Sequence, residues 1–238
     1  HTRTRRQRQM CIRDSSTITE ASDVAITVNS GTASLAQARS MDGYTTGTVT
    51  ATIEDTRVSD LLGSTPLLDA NDNNAFTITI GTADAEITAA NLNSLNDLTS
   101  VAIEAGNVTQ ITGTVAATNT TYAAGANSQI NGLGNEDVVI SGESSNTLSD
   151  ASTLNTLDGY TTGTVNAGSL TTIQGDLSDL LTAYASNGIT GLGNEAITLD
   201  DTTSIAATDL NTLDSKTSGD ITTPVSYTHL TLPTSSRV

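Results

Sequence analysis

The strongest constraint on this chain is that it repeats. Leu-Asn-Thr-Leu-Asp stands at 154–158 and again at 210–214, with a close variant, Leu-Asn-Ser-Leu-Asn, at 92–96 and a degenerate one, Ala-Arg-Ser-Met-Asp, at 38–42. DGYTTGTV occurs at 42–49 and 158–165, and Gly-Leu-Gly-Asn-Glu at 132–136 and 191–195. The first set of markers is spaced 54, 62 and 56 residues apart, so the period drifts rather than locks. One supersecondary unit is therefore copied along the chain, and a unit this small cannot bury its apolar face alone. Neighbouring units must stack.

Each long repeat holds two shorter units, an alternating apolar stretch followed by a short helical pattern. Strands are expected at 24–28 (VAITV), 49–53 (VTATI), 76–80 (FTITI), 101–103, 138–140, within 165–173, at 196–199 and from 221 onward. Period-2 alternation rich in Val, Ile and Thr is the mark of a strand with one buried face. The clearest helix lies at 176–184, where Leu177, Leu180, Leu181 and Tyr184 recur at helical spacing and so share one face. Asp176 is the expected N-cap and Asp179 a first-turn carboxylate favoured by the helix dipole. Ala206, Leu210 and Leu213 form a similar stripe, as do Val58, Leu61 and Leu62. Asp42-Gly43 and Asp158-Gly159 then end their helices, with glycine expected in the left-handed cap conformation.

These elements predict an α/β fold, an elongated repeat solenoid of short parallel strands alternating with short helices, with approximate long repeats at 38–91, 92–153 and 154–209 and a partial one at 210–224. Two alternatives stay open. Tandem immunoglobulin- or cadherin-like sandwiches would need about seven strands per ~100 residues without helical stripes between them, and a pure parallel β-helix would need no helices at all.

The termini stand apart from this pattern. RRQRQMCIRD at 5–14 and VSYTHLTLPT at 225–234 are related as opposite strands of one DNA. The codons CGT CGG CAG CGT CAG ATG TGT ATA AGA GAC encode the first string, and their reverse complement encodes the second. The string resembles translated transposase sequencing adaptor, so residues 1–15 and 225–238 are expected to be adaptor-derived and non-native, and 16–224 to be the repeat region. The ends carry Cys11, His1, His229, Met10 and six of the nine basic residues. An arginine-rich start that could pass for a nucleic-acid arm is then neither that nor a transit peptide.

Composition narrows the function of what remains. The whole chain has 26 carboxylates against nine Lys and Arg, a formal charge of −17. Residues 16–224 keep every carboxylate except Asp14 and only Arg39, Arg57 and Lys216 as cations. Such a surface repels phosphate backbones and anionic membranes, which excludes a nucleic-acid partner, and it favours cations. No apolar run approaches the ~20 residues of a transmembrane helix. Phe76 and four tyrosines are the aromatics of the repeat region, too few for a large globular core but compatible with a thin stack of Leu, Ile, Val and Ala. Abundant Thr, Ser, Asn, Asp and Gly suit a secreted bacterial surface protein.

LNTLDGYTTGTV, LTAYASNGITGLGNEAITLDD and IAATDLNTLD together resemble the long tandem repeats of giant cell-surface proteins of marine picocyanobacteria. The likeness covers most of residues 20–224, is strong over 150–220 and weaker before 90. The resemblance implies an exported, very long, acidic, adhesin-like protein, extracellular or at the cell surface, with neighbouring repeats and other surface components as partners. It carries over no catalytic residues.

The chemistry that the repeat region can support is limited. Without His or Cys, Ser-His-Asp and Cys-His nucleophile systems and imidazole or thiolate metal sites cannot be built, and the expectation is a non-enzymatic protein without a cofactor. Paired carboxylates could hydrolyse glycosides, but recurring carboxylates fit caps and loops better, and no Trp offers a sugar platform. The candidate metal site is Asp69, Asn71, Asp72 and Asn73, closely spaced oxygen donors matching the D-x-N-D-N linker of cadherins and suited to Ca²⁺. As an EF-hand loop it fails, with Asn74 where glycine is required and Ile80 where the bidentate glutamate belongs. A polar turn before the strand at Phe76 explains the same residues. Gly-Leu-Gly-Asn-Glu lacks the spacing of a phosphate-binding loop and reads as a loop between stacked units. Thr50-Ala51-Thr52 and Thr77-Ile78-Thr79 could line a threonine face of the kind that binds ice, or simply reflect β-propensity.

Overall fold

The computed structural model describes residues 23–54, 57–63, 74–201 and 205–224. Within them the chain is mixed α/β, with parallel strands in several sheets alternating with helices. It divides into two compact units, one formed by residues up to Gly113 together with Ala117–Glu136, the other by Thr114–Ala116 and the chain from Asp137.

In the first unit, β1 (Ile26–Ala33), β2 (Val49–Ile53) and β3 (Ala75–Thr77) form a parallel sheet. β4 (Glu86–Thr88) pairs in parallel with β6 (Gln110–Gly113), and β5 (Ile103–Glu104) with β7 (Ile130–Asn131). The helices are α1 (Leu35–Asp42), α2 (Val58–Leu61), α3 (Ala89–Asp97) and α4 (Val115–Ala126), whose first residues belong with the second unit. In the second unit β8 (Asp137–Ile140), β10 (Val165–Asn166) and β12 (Ile189–Thr190) make one parallel row. β9 (Thr147–Leu148), β11 (Thr172–Gly175), β13 (Ala196–Leu199) and β14 (Ile221–Thr222) make another. Here the helices are α5 (Ala151–Asp158), α6 (Leu177–Ala185) and α7 (Ala207–Asp214).

The register exposes the true unit. Val165 lies opposite Ile189, Thr172 opposite Ala196 and Ile197 opposite Ile221, so one pass of the chain, here called a coil, returns to its own position after 24 residues. Elsewhere the return takes up to 27, as from Ile103 to Ile130 and Val138 to Val165. Parallel neighbours need a crossover of a dozen or more residues, and a two-turn helix with its loops supplies it. The core is the line of apolar side chains that the register stacks. Ile173 and Ile197 are almost fully buried in adjacent strands, as are Val138 and Val165, Ile103 and Ile130.

Several expectations need correction. The run at 165–173 is two strands, β10 and β11, separated by a turn at 167–171, so in this part of the chain each coil carries two strands rather than one. β4 and β6, of three and four residues, were not anticipated, and β7, β9 and β12, of two residues each, are too short to show an alternation. Gly43 and Gly159 do cap their helices but keep right-handed φ values of −65° and −71°; their amides reach back to the carbonyls of Arg39 and Asn155 without a left-handed residue. Asp176 occupies the N-cap position of α6 but makes no side-chain cap bond.

Candidate functional site

The predicted calcium ligands Asp69, Asn71, Asp72 and Asn73 lie outside the described residues. Among the described residues no group of three or more His, Cys, Asp or Glu side chains is placed to hold a metal ion, and no helix is long and apolar enough to cross a membrane. The polar chemistry that recurs with the sequence repeat converges instead on the seams between consecutive coils.

The first seam is helix to helix. Asn155, the fifth residue of α5, donates from Nδ2 to the carbonyl of Asp179, the third residue of α6, at 2.9 Å. Asn93 occupies the same place in α3 and donates to the carbonyl of Ala117 in α4 at 3.0 Å. Arg39 in the degenerate copy reaches the carbonyl of Asp60 in α2 at 3.4 Å. The asparagine of the LNTLD element is thus a staple onto the next helix. The flanking leucines, Leu92 and Leu95 or Leu154 and Leu157, are fully buried.

In a second bond it is the side chain of the later coil that reaches back to accept. α2 and α6 lack side-chain caps of their own; the first amides of α2, α4 and α6, those of Val58, Val115 and Leu177, donate to Asp84 at 3.0 Å, Glu143 at 2.7 Å and Asp201 at 2.8 Å. Each carboxylate comes from the following coil, where it satisfies an orphan N–H and meets the positive end of the helix dipole. α1, α3 and α5 are capped locally by Ser34, Thr88 and Asp150. α7, whose N-cap position is Ala206, has no side-chain cap bond.

The DGYTTGTV and GLGNE motifs resolve in the same way. Thr45 Oγ1 accepts from the Gly47 amide at 2.9 Å and donates to the Val24 carbonyl of the preceding coil at 2.6 Å. Thr217 does likewise with Gly219 at 3.0 Å and the Glu195 carbonyl at 2.7 Å. The glycine is needed because a Cβ at Gly47 would stand 2.7 Å from the Asp23 carbonyl oxygen. In GLGNE, Gly191 takes φ +82° and its Cβ position lies 2.6 Å from the Gly168 amide nitrogen, so only glycine permits this turn to sit on its neighbour. Glu195 then turns inward, fully buried, and accepts from the Gly193 amide and the Tyr184 hydroxyl, both at 2.8 Å. Glu136 repeats the arrangement with Gly134 at 2.8 Å and Tyr122 at 3.0 Å. The glycine-rich turn does hold a carboxyl group, and that group is its own glutamate.

Burial and the adjoining Glu195 carboxylate push the Tyr184 phenol far above its ordinary pKa, against a smaller opposing bond from Thr217. Asp137, at the exposed start of β8, is held below the usual carboxylate range by the Thr164 amide and hydroxyl, which donate to it at 2.8 and 2.9 Å. The tyrosine bond was missed from sequence because its partners are 11 or 14 residues apart, and the cross-coil caps because theirs are 24 to 28 apart. The signal was nonetheless present, since Tyr and Glu recur together with the glycines.

No family model, curated protein or solved structure matches this chain.

Proposed function

We propose that this chain is a non-enzymatic stretch of a long, acidic, repetitive extracellular or cell-surface protein with a structural or adhesive role, its coils stacking as an α/β solenoid. The observation that carries this reading is where the motif side chains spend their hydrogen bonds. Asn93, Asn155, Thr45, Thr217, Glu136 and Glu195, the residues a motif search would single out, bond to neighbouring coils or to their own turns. Repetition here maintains a stack, and a stack extended by adding coils is a spacer or a display surface. The acidic excess keeps such a polymer soluble and apart from its copies. An antiserum against residues 16–224 is expected to label intact cells of the source as strongly as permeabilised ones; labelling only after permeabilisation refutes the surface assignment.

A second reading has a specific observation behind it. In the first sheet Thr32, Thr52 and Thr77 are in register across β1, β2 and β3, and Thr27 lies opposite Thr50, all on the exposed face. This ordered hydroxyl array supports ice binding as the alternative role. Thermal hysteresis that disappears in Thr52→Lys would favour it; its absence in the parent chain removes it. Ca²⁺ stabilisation through Asp69, Asn71, Asp72 and Asn73 is compatible with either role.

A further inference from the structure

The same five residues, Leu-Asn-Thr-Leu-Asp, occur in α5 and α7 in two different surroundings. In α5, Ala151, Leu154 and Leu157 are fully buried and Asn155 is stapled to α6. In α7 only Leu213 is buried; Ala207 and Asn211 are exposed, Leu210 is half-exposed, and Asn211 has no side-chain partner among the described residues. The side of α7 that faces α6 is covered, so what is open corresponds to the side on which α5 receives α6. β14 already occupies the strand position of the next coil, opposite β13, and the helix position that should follow it is unfilled among the described residues.

We infer that the open face of α7, centred on Leu210 and Asn211, is a docking site for one further coil of this repeat, entering through a helix of the α6 type. Asn211 donates to the third carbonyl of the incoming helix, as Asn155 does to Asp179, Asn93 to Ala117 and Arg39 to Asp60. The occupant is defined by continuity with these interfaces. It needs a leucine pair at helical spacing to cover Leu210, and an uncapped first amide awaiting a carboxylate from the coil beyond. The inference rests on the stacking part of the proposed function and not on where the protein resides.

The test uses the full chain beside an extended one, in which residues 223–238 are replaced by a second copy of 175–199, placing an α6 sequence directly after β14. Helical signal and protection of the α7 amides from hydrogen exchange are expected to rise in the extended chain. Asn211→Ala should leave the parent chain unchanged or slightly stabilised, alanine being the better helix former, yet shift the unfolding equilibrium of the extended chain about tenfold toward the unfolded state. A control extension with Asp in place of the copied Leu177 and Leu180 should give no added protection. An extension that adds no helix, or an Asn211→Ala effect equal in both chains, overturns the docking site. Neither outcome bears on cell-surface labelling, so this inference and the surface role fail separately.

Discussion

Single side chains in this protein matter by which coil they reach. Asn155 illustrates the point: its amide is half-buried and bridges two helices, while the neighbouring Thr156 is exposed and bonds only within its own helix, to the Ser152 carbonyl. Asn155→Ala is expected to cost about 1–2 kcal/mol in denaturant unfolding, the cost of a bond whose acceptor is left unfilled, and Thr156→Ala less than about 0.5 kcal/mol. The Tyr184–Glu195 pair should show itself through pH. Because the folded pKa of Tyr184 lies above its unfolded value near 10, the fold holds the protonated phenol. Its contribution is complete below pH 10 and is lost as pH rises from there toward the folded value. Asp137 acts in the opposite direction: its lowered pKa contributes stability above the ordinary carboxylate value, lost as pH falls through the folded one. Tyr184→Phe should therefore remove part of the alkaline loss of stability while leaving the acid limb unchanged, as followed by melting temperature from pH 4 to pH 11.

Elements are where reading the sequence succeeded and where it stopped. The strand at 49–53 could be seen because Val49, Ala51 and Ile53 alternate with Thr50 and Thr52, and the structure buries the first three and exposes the others. β13 was visible for a similar reason, as were the helical stripes of α2, α6 and α7. α4 was not, because VAATNTTYAAGA has little helical amphipathicity: it buries Thr118 and Thr121 together with Val115 and Tyr122, so polarity gave no contrast between its faces. Two-residue strands such as β7 and β12 carry no period to read. The candidate calcium ligands lie outside the described residues, so only the sequence speaks for them. Helix capping failed as a local rule for a physical reason, since α6 takes its cap from Asp201 in the next coil rather than from Asp176. Asp201→Ala should consequently destabilise by about 1 kcal/mol, the cost of losing a cap, and Asp176→Ala by much less. Leu154→Ala, at a fully buried site, should cost about 2–5 kcal/mol; Leu210→Ala, at the same place in α7 but half-exposed, should cost less than half as much.

At the scale of the whole molecule, charge opposes the burial that parallel pairing achieves within each unit. The repeat region sets Arg39, Arg57 and Lys216 against all but one of the chain's 26 carboxylates; Arg57 pairs with Asp84 at 3.9 Å, and three cations cannot neutralise so many acids. Stability then comes from the buried apolar side chains and from hydrogen bonds between neutral groups and carboxylates, while the excess negative charge repels along the chain. Salt should stabilise this protein. Raising ionic strength to the physiological range, where charges are screened beyond about 8 Å, is expected to raise the melting temperature, and the gain should be the same for NaCl and KCl. Divalent ions separate screening from binding. If Ca²⁺ and Mg²⁺ at matched ionic strength raise the melting temperature equally, screening accounts for the effect. If Ca²⁺ exceeds Mg²⁺, and the excess vanishes in the double variant Asp69→Asn, Asp72→Asn, the residues at 69–73 hold the ion. An excess that survives that substitution places the calcium site elsewhere in the chain.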